Sequence, residues 1–552
     1  MPLSSISSIL IAANSGMRAS QIGLDVVSRN IANASTDGYT RKTIHLQNQI
    51  VGSQGQGVIA GEIQRTVNQS LQKEIRRGNS LGEAMRVRED FLGRLELAFG
   101  SPGDESSIAA QLTDLGNAFR ALAAQPDSST QQQAVLAEAR AFATSANTLS
   151  NTIQSLRLDA EQTIDAAVTT IGMNLQQIDN LNQQIVQARG LQQSTADLED
   201  KRDVLLNNLA KDIDVTFFER PNGDVWILTQ SGRQLLDGTP SELTFNNKSS
   251  INATMTYAGG ALGGIELGGV DITSEIRGGR LRGLIDMRDD YLVDAQTQLD
   301  ELTARVAQTF ALSDLDLFSY GDTETVLTGR EAAAAATSGA TSFTIDDATD
   351  VAVGMQLRFA NHATTYTITA VAGTTITIEP PSGATTGLDV DVPAGTALIL
   401  AAAPSALSIG FSTSVAVNSD VESDPWRLRD GTTAAAPSAI AQDNTIPRAI
   451  VDAFERIQPF SVGPGLGESL TLTGYAGALI TSQANRRASA KDSLESQLAL
   501  NEQISNRFNS DSGVNVDREL ALMIEIQNAY AASAKVIQAT RDMFDELLRV
   551  AA

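Results

Sequence analysis

Two histidines, His45 and His362, are the only imidazoles in the chain, and there is no cysteine. Disulfides, thiolate metal sites and cysteine nucleophiles are therefore excluded outright. The two histidines lie in unrelated contexts, so a His/carboxylate metal site would have to be assembled from lone ligands. A Ser-His-Asp triad would lack the G-x-S-x-G elbow that exposes the nucleophile, and there is no Walker loop. The run Gly463-Pro464-Gly465-Leu466-Gly467 reads as a loop, because no strand–helix frame surrounds it. Asp346, Asp347 and Asp350 miss the spacing of a calcium loop and read as a solvated acidic face. The expectation is a protein with no catalytic, cofactor-binding or metal residues, and not an enzyme.

Composition narrows the class further. With 552 residues, the chain is too long for one hydrophobic core and should divide into several domains. Its 40 Lys+Arg stand against 65 Asp+Glu, which argues against nucleic acid as a main partner. Residues 1–100 hold 11 Lys/Arg and 8 Asp/Glu, so the acidity belongs to the middle and the end. The start has neither a positive n-region nor an unbroken apolar run, and no stretch approaches the ~18 apolar residues of a membrane span. If the protein leaves the cell, it is expected to do so without a cleaved signal peptide.

The elements that remain to be explained are the two ends. Ile6, Leu10, Ala13, Met17, Ser20, Leu24, Val27 and Ile31 alternate in steps of four and three, a heptad stripe on a long helix. The stripe stops at the turn signal Asn33-Ala34-Ser35-Thr36-Asp37-Gly38-Tyr39. At the other end Met523, Gln527, Tyr530, Ala534, Ile537, Arg541, Phe544 and Leu548 repeat the same steps, and Leu520, Ile524, Ile526 and Leu547 widen the stripe. A heptad helix is often only the core face of a bundle. Here both stripes sit where order is normally poorest, run longer than average helices, and carry small or polar residues on the seam. Those features favour packing against a partner or another copy.

Between the ends the pattern changes several times. Residues 1–70 read as the first helix and an arm of short strands, and 71–210 as the first part of a helical domain. Residues 211–280 read as a β domain, with Pro221-Asn222-Gly223-Asp224 as a turn. A helix at 281–312 returns to the helical domain, and 313–330 reads as β domain or linker. Residues 331–405 contain one Arg, no Lys and fourteen Thr in period-two runs, which describes an inserted all-β outer domain flanked by Ala-rich boundaries at 332–336 and 401–403. Residues 406–440 are expected as the last part of the β domain, 441–510 as the last of the helical domain, and 511–552 as the terminal helix.

One segment carries a family signature. Asn30-Ile31-Ala32-Asn33-Ala34-Ser35-Thr36-Asp37-Gly38-Tyr39-Thr40-Arg41 resembles the pattern N-I-A-N-x-x-T-x-G-Y-x-R of flagellar rod, hook and hook-associated axial proteins. The segment from Ser512-Gly513-Val514-Asn515-Val516-Asp517 to Met543-Phe544-Asp545-Glu546-Leu547-Leu548 resembles the end of the same family. Its S-G-V-N-V-D start and F-D-x-L-L finish, the helical 70–210 and the stretch Gly278–Asp289 are similar to the hook-associated branch. The resemblance covers roughly 1–320 and 406–552. It implies a multidomain α+β fold with paired, coiled-coil-like terminal helices, a helical bundle domain and central β domains. It also implies a secreted structural subunit at the hook–filament junction, assembled as a helical ring of copies and exported unfolded by the flagellar type III apparatus. The implied partners are the hook protein, a second hook-associated junction protein towards the filament, and an export chaperone on the C-terminal helix, with no nucleic acid and no membrane. In that reading Gly38 supplies a positive φ after the helix, and Tyr39 and Arg41 pin the arm unless they do no more than pack the turn. Three alternatives stay open: another axial protein (hook or distal rod), a flagellum-borne adhesin binding through 331–405, and a hydrolase carried on the flagellum.

Overall fold

The computed structural model describes residues 2–51, 54–319, 326–348, 351, 356–359, 364–379, 387–401, 409–460, 466–467 and 469–551. Asp350, His362, Gly463, Gly465 and the Ala402–Ala403 flank lie outside them, as do the side chains of Ile6 and Leu547.

The chain opens with α1 (Pro2–Ala32), then a hairpin of β1 (Lys42–Val51) and β2 (Gln54–Arg65) that folds back along it. Four helices follow: α2 (Gln69–Phe99), α3 (Ile108–Ala124), α4 (Ser129–Gly190) and α5 (Ala196–Asp212). The starts of α2, α3 and α4 are fixed by Asn68, Ser107 and Ser128, whose side chains accept the amide hydrogens of Leu71, Ala110 and Gln131. At 62 residues, α4 is a rod of about 93 Å, and its Leu/Ile/Ala face is buried along most of that length.

Two small antiparallel sheets lie on this framework, β3–β5 (Val215–Glu219, Val225–Thr229, Gln234–Leu236) and β6–β8 (Leu243–Phe245, Ile265–Leu267, Val270–Asp271). The helix expected over 281–312 is broken: α6 (Gly279–Asp286) and α7 (Leu292–Ala311) are joined by a π turn at Met287–Tyr291. There the buried Arg288 reaches Glu161 on α4 at 2.7 Å. Both groups are fully buried, so the wider turn allows the backbone to send that ion inward.

After β9 (Phe318–Ser319) the inserted domain begins earlier than expected. Its strands are β10 (Val326–Glu331), β11 (Ser342–Thr344), β12 (Gln356–Phe359), β13 (Thr365–Ala372), β14 (Thr375–Glu379) and β15 (Ala397–Ala401), in the order β10-β15-β12-β13-β14-β11. A bridge between Ala332 and Ile345 closes the last strand back onto the first. The Ala-rich stretch at 332–336 is therefore no boundary. Ala332 is buried in the barrel's own core with Phe343, Leu357, Phe359, Tyr366, Ile368 and Leu398, and Ala336 bridges to Val392.

Residues 406–440, expected as β, hold among the described residues three short helices, α8 (Phe411–Ser414), α9 (Ser419–Ser423) and α10 (Arg427–Asp430), between loops, with β16 (Ala416–Val417) pairing β9. The β-branched residues there are too few to outweigh Asn418, whose side chain caps α9. Then come α11 (Thr445–Glu455), a small pair β17 (Gln458–Pro459) and β18 (Ser469–Leu470), α12 (Leu472–Ser512) and α13 (Val516–Ala551).

One apolar core runs through the body from α2, α3 and α4 to α7, α11 and the start of α12. Phe310 sits at its centre, with ring centroids 5.2 Å from Phe119, 5.6 Å from Phe318 and 5.9 Å from Phe454. Two long antiparallel helix pairs extend from it. In one, α12 runs back along α2, where Gly78 lets Asn501 approach so closely that a Cβ would lie 2.1 Å from its Oδ1. In the other, α13 runs back along α1.

Candidate assembly site

The α1–α13 pair and the turn at its base form the site. Gly23 faces Ile526 and Gly16 faces Ser533, with ideal Cβ positions 3.2 and 3.3 Å from those side chains, so the glycines set how closely the helices approach. Along α13 the more buried positions are Glu519, Leu522, Met523, Ile526, Tyr530, Ser533, Ala534, Ile537 and Thr540. This seam only partly coincides with the expected stripe. Met523, Tyr530, Ala534 and Ile537 are half-buried, whereas Leu520, Gln527, Phe544 and Leu548 are exposed. On α1, Ala13 and Val27 are buried and Met17, Leu24 and Ile31 half-buried, while Leu10 is 38% exposed. The apolar stripe is wider than the seam, so its period left the phase open; the glycines and small residues decide it.

Much apolar surface is left over. Ile9, Leu10, Ile11 and Ile22 on α1, and Leu520, Ile524, Val536, Met543, Phe544 and Leu548 on α13, are all exposed, Ile524 to 60%. All ten sit on the two helices of this one pair.

At the base, the signature residues form one hydrogen-bonded knot around Asn30, which is fully buried. Its Nδ2 donates to Lys42 O and to Glu519 Oε2, both at 2.9 Å. Its Oδ1 accepts from the Lys42 amide at 3.1 Å and from the Tyr39 hydroxyl at 3.0 Å. An amide side chain has two donors and two acceptor sites, and all four are used. Arg41 Nε donates to the other oxygen of Glu519 at 2.7 Å. The knot thus ties the end of α1, the arm and the first turn of α13. Asn33 caps α1 by donating to Arg29 O at 2.9 Å. Gly38 has φ +74°, and a Cβ on it would lie 2.3 Å from Val204 Cγ2 on α5.

A second cluster joins the arm to the body. Lys42 pairs with Asp197 and with Asp200 (3.0 Å), its ammonium 3.7 Å above the Tyr39 ring. Arg65 reaches Glu199 (2.8 Å), Asp200 (3.1 Å) and Asp203 (2.7 Å), and Arg76 also holds Asp203 at 2.9 Å. Burial pulls the Lys42 ammonium down, but its bonds to Asp197 and Asp200 outweigh this and hold it above its ordinary value. Burial likewise raises the Asp203 carboxyl, and the Arg76 and Arg65 charges more than reverse that. Glu199 is also held low, by Thr195, Arg189 and Arg65 against its burial. These acids and Glu519 were not singled out from the sequence. The signal was present: Asp197, Asp200 and Asp203 recur every three residues, on one face of α5.

His45 is exposed on β1, and among the described residues no group of three His, Cys, Asp or Glu could hold a metal ion. Among them, too, no helix is long and apolar enough to cross a membrane.

Family models match this layout. Residues 92–312 fit the flagellar hook-associated protein FlgK helical domain, 10–40 the flagella basal body rod protein family, and 506–550 the flagellar basal body rod FlgEFG protein C-terminal family. The flagellar hook-associated protein 1 of Escherichia coli K12 is 26% identical over 99% of this chain and 100% of its own. The chain belongs to the hook-associated branch of the flagellar axial proteins. Flagellar hook-associated protein 1 of Salmonella typhimurium is 25% identical over 99% of this chain and 100% of its own, and that of Bacillus subtilis 22% over 45% and 50%. The fold is shared with the flagellar hook junction protein FlgK from Burkholderia pseudomallei, at a TM-score of 0.52 and 15% identity, over 79% of this chain and 99% of that one. In this hook-associated protein the knot lies where the two rod-family matches meet, and α5 lies in the helical-domain match.

Proposed function

We infer that this hook-associated protein is a non-catalytic structural subunit of the bacterial flagellum, joining hook to filament by helical self-assembly. The observation that carries the reading is the set of ten large apolar side chains left exposed on α1 and α13. Within a subunit, Gly16, Gly23, Met523, Tyr530, Ala534 and Ile537 hold the pair together. The outward residues Leu10, Ile524, Phe544 and Leu548 contact neighbouring copies, with Ile6 and Leu547 on the same helices. Fully burying a large apolar side chain contributes ~1.5–3 kcal/mol. Ten partly covered side chains therefore offer on the order of 10 kcal/mol, part of which offsets ordering and association costs. Copies of the chain, the hook protein below and the second hook-associated junction protein above are its partners. An export chaperone covering the α13 edge would keep it from associating before export.

The test is deletion of the gene with rescue by the full chain. Cells lacking it should build hooks without filaments and release flagellin into the medium. Filaments of normal length on those hooks would overturn the assignment to the junction.

A further inference from the structure

The body and the terminal unit do not share a core. Among the described residues, no member of the body's apolar core, and no half-buried side chain packed on it, comes from residues 2–65 or 516–551. Apart from Gly38 against Val204, what joins the two is mainly ionic and one-sided. The cations Arg29, Lys42 and Arg65 belong to the terminal unit, and the carboxylates Asp197, Glu199, Asp200 and Asp203 all belong to α5. Thr40 adds a hydroxyl hydrogen bond to Asp200 at 2.6 Å. The chain crosses between the two bodies twice, at 66–68 and 513–515, and the crossings are stitched to one another. The Arg41 amide donates to Ser512 O (2.9 Å), the Thr66 amide to Arg41 O (2.8 Å) and the Asn68 amide to Ser512 Oγ (3.0 Å).

We propose that this joint is a hinge, with the paired crossings as its pivot and the ion cluster on α5 as its latch. An apolar interface cannot open without exposing its surface to water. Charged groups that part are rehydrated, and salt weakens their attraction over the distance they travel. The terminal unit can therefore swing on the body while each stays folded. This sets a range of angles between the assembly helices and the rest of the subunit. The inference stands whether or not the junction role does.

The test uses the full chain, whose lack of cysteine allows unique spin labels. One label pair, Asn528→Cys with Gln176→Cys, reports the joint. A second, Asn528→Cys with Gln21→Cys, reports the α1–α13 pair. Between about 0.01 and 1 M NaCl the screening length falls from about 30 to about 3 Å. Over that range the joint distance distribution should at least double in width while the helix-pair distribution stays narrow. Arg65→Gln should give the broad joint distribution even at low salt, and Arg65→Lys should restore the narrow one. A joint distribution unchanged by salt and by Arg65→Gln, or already broad at low salt, overturns the proposal. So does parallel broadening of the helix pair, which would mean unfolding of the terminal unit and not a swing.

Discussion

Replacing Gly38 with alanine asks how much of the arm's attachment rests on one missing methyl group. The backbone at Gly38 has φ +74°, a region that costs an L-residue about 1–2 kcal/mol. The new Cβ would also lie 2.3 Å from Val204 Cγ2, where carbon atoms normally sit about 3.5–4.0 Å apart. Relief needs a shift of more than about 1 Å, and overpacking of that kind costs about 1–3 kcal/mol. Together these give about 2–5 kcal/mol, roughly 30- to 5000-fold in the opening equilibrium of the arm. The readout is hydrogen exchange of the Arg41 and Thr66 amides, whose bonds to Ser512 and Arg41 close the base of the site. Val204→Ala separates the two costs, because it removes Cγ2 and leaves Val204 Cβ at an ordinary 3.8 Å. In that background Gly38→Ala should lose only about 5- to 30-fold in protection, the backbone share alone. Equal losses in both backgrounds would refute the steric argument. Full protection in Gly38→Ala alone would refute the need for a positive φ.

Ile537→Asp or Tyr530→Asp places a carboxylate in the half-buried seam between α1 and α13, at a cost of several kcal/mol; hooks without filaments are expected, and normal filaments would remove these residues from the seam. Replacing 326–401 with a short Gly/Ser linker should leave filament attachment intact, because the barrel has a core of its own; loss of attachment by an exported, folded variant would place the barrel in the joint between hook and filament. Glu199 and Asp203 titrate below their ordinary values, so their contribution is complete above about pH 5 and is lost as pH falls through their lowered values. Exchange protection at Arg41 and Thr66, corrected for intrinsic rates, should therefore hold down to about pH 5 and fall below it; protection unchanged to pH 2 would show that the α5 carboxylates do not hold the arm.

How far the sequence was readable depended on the range of the interaction. The terminal helices were legible because a heptad is a local pattern, and Gly38 because the turn after α1 needs its φ. Which side of α13 meets α1 was not, since Gly16 and Gly23 settle it from another part of the chain. Asn30 stood out only as part of a signature. Its reason for being there, the Glu519 carboxylate, lies 489 residues away. The start of the insert at Val326 was hidden for a similar reason: β10 becomes a strand of the barrel by pairing with β15, more than sixty residues on. The turns over 411–430 escaped because short helices carry too few residues to show a period.

The bond between Asn30 and Glu519 also has a meaning in time. A polypeptide emerging from its N-terminus delivers α1 first, and everything else must follow before α13 can cover it. Contacts of such separation form late and slowly. A chain cut short anywhere before Glu519 would present α1 with no partner and Asn30 with a missing acceptor. Completion of the terminal unit is thus a test of length, passed only by a copy that has arrived whole. A product cut between Ser512 and Glu519 would keep every element of its body, fail at the ends, and be left out of the polymer.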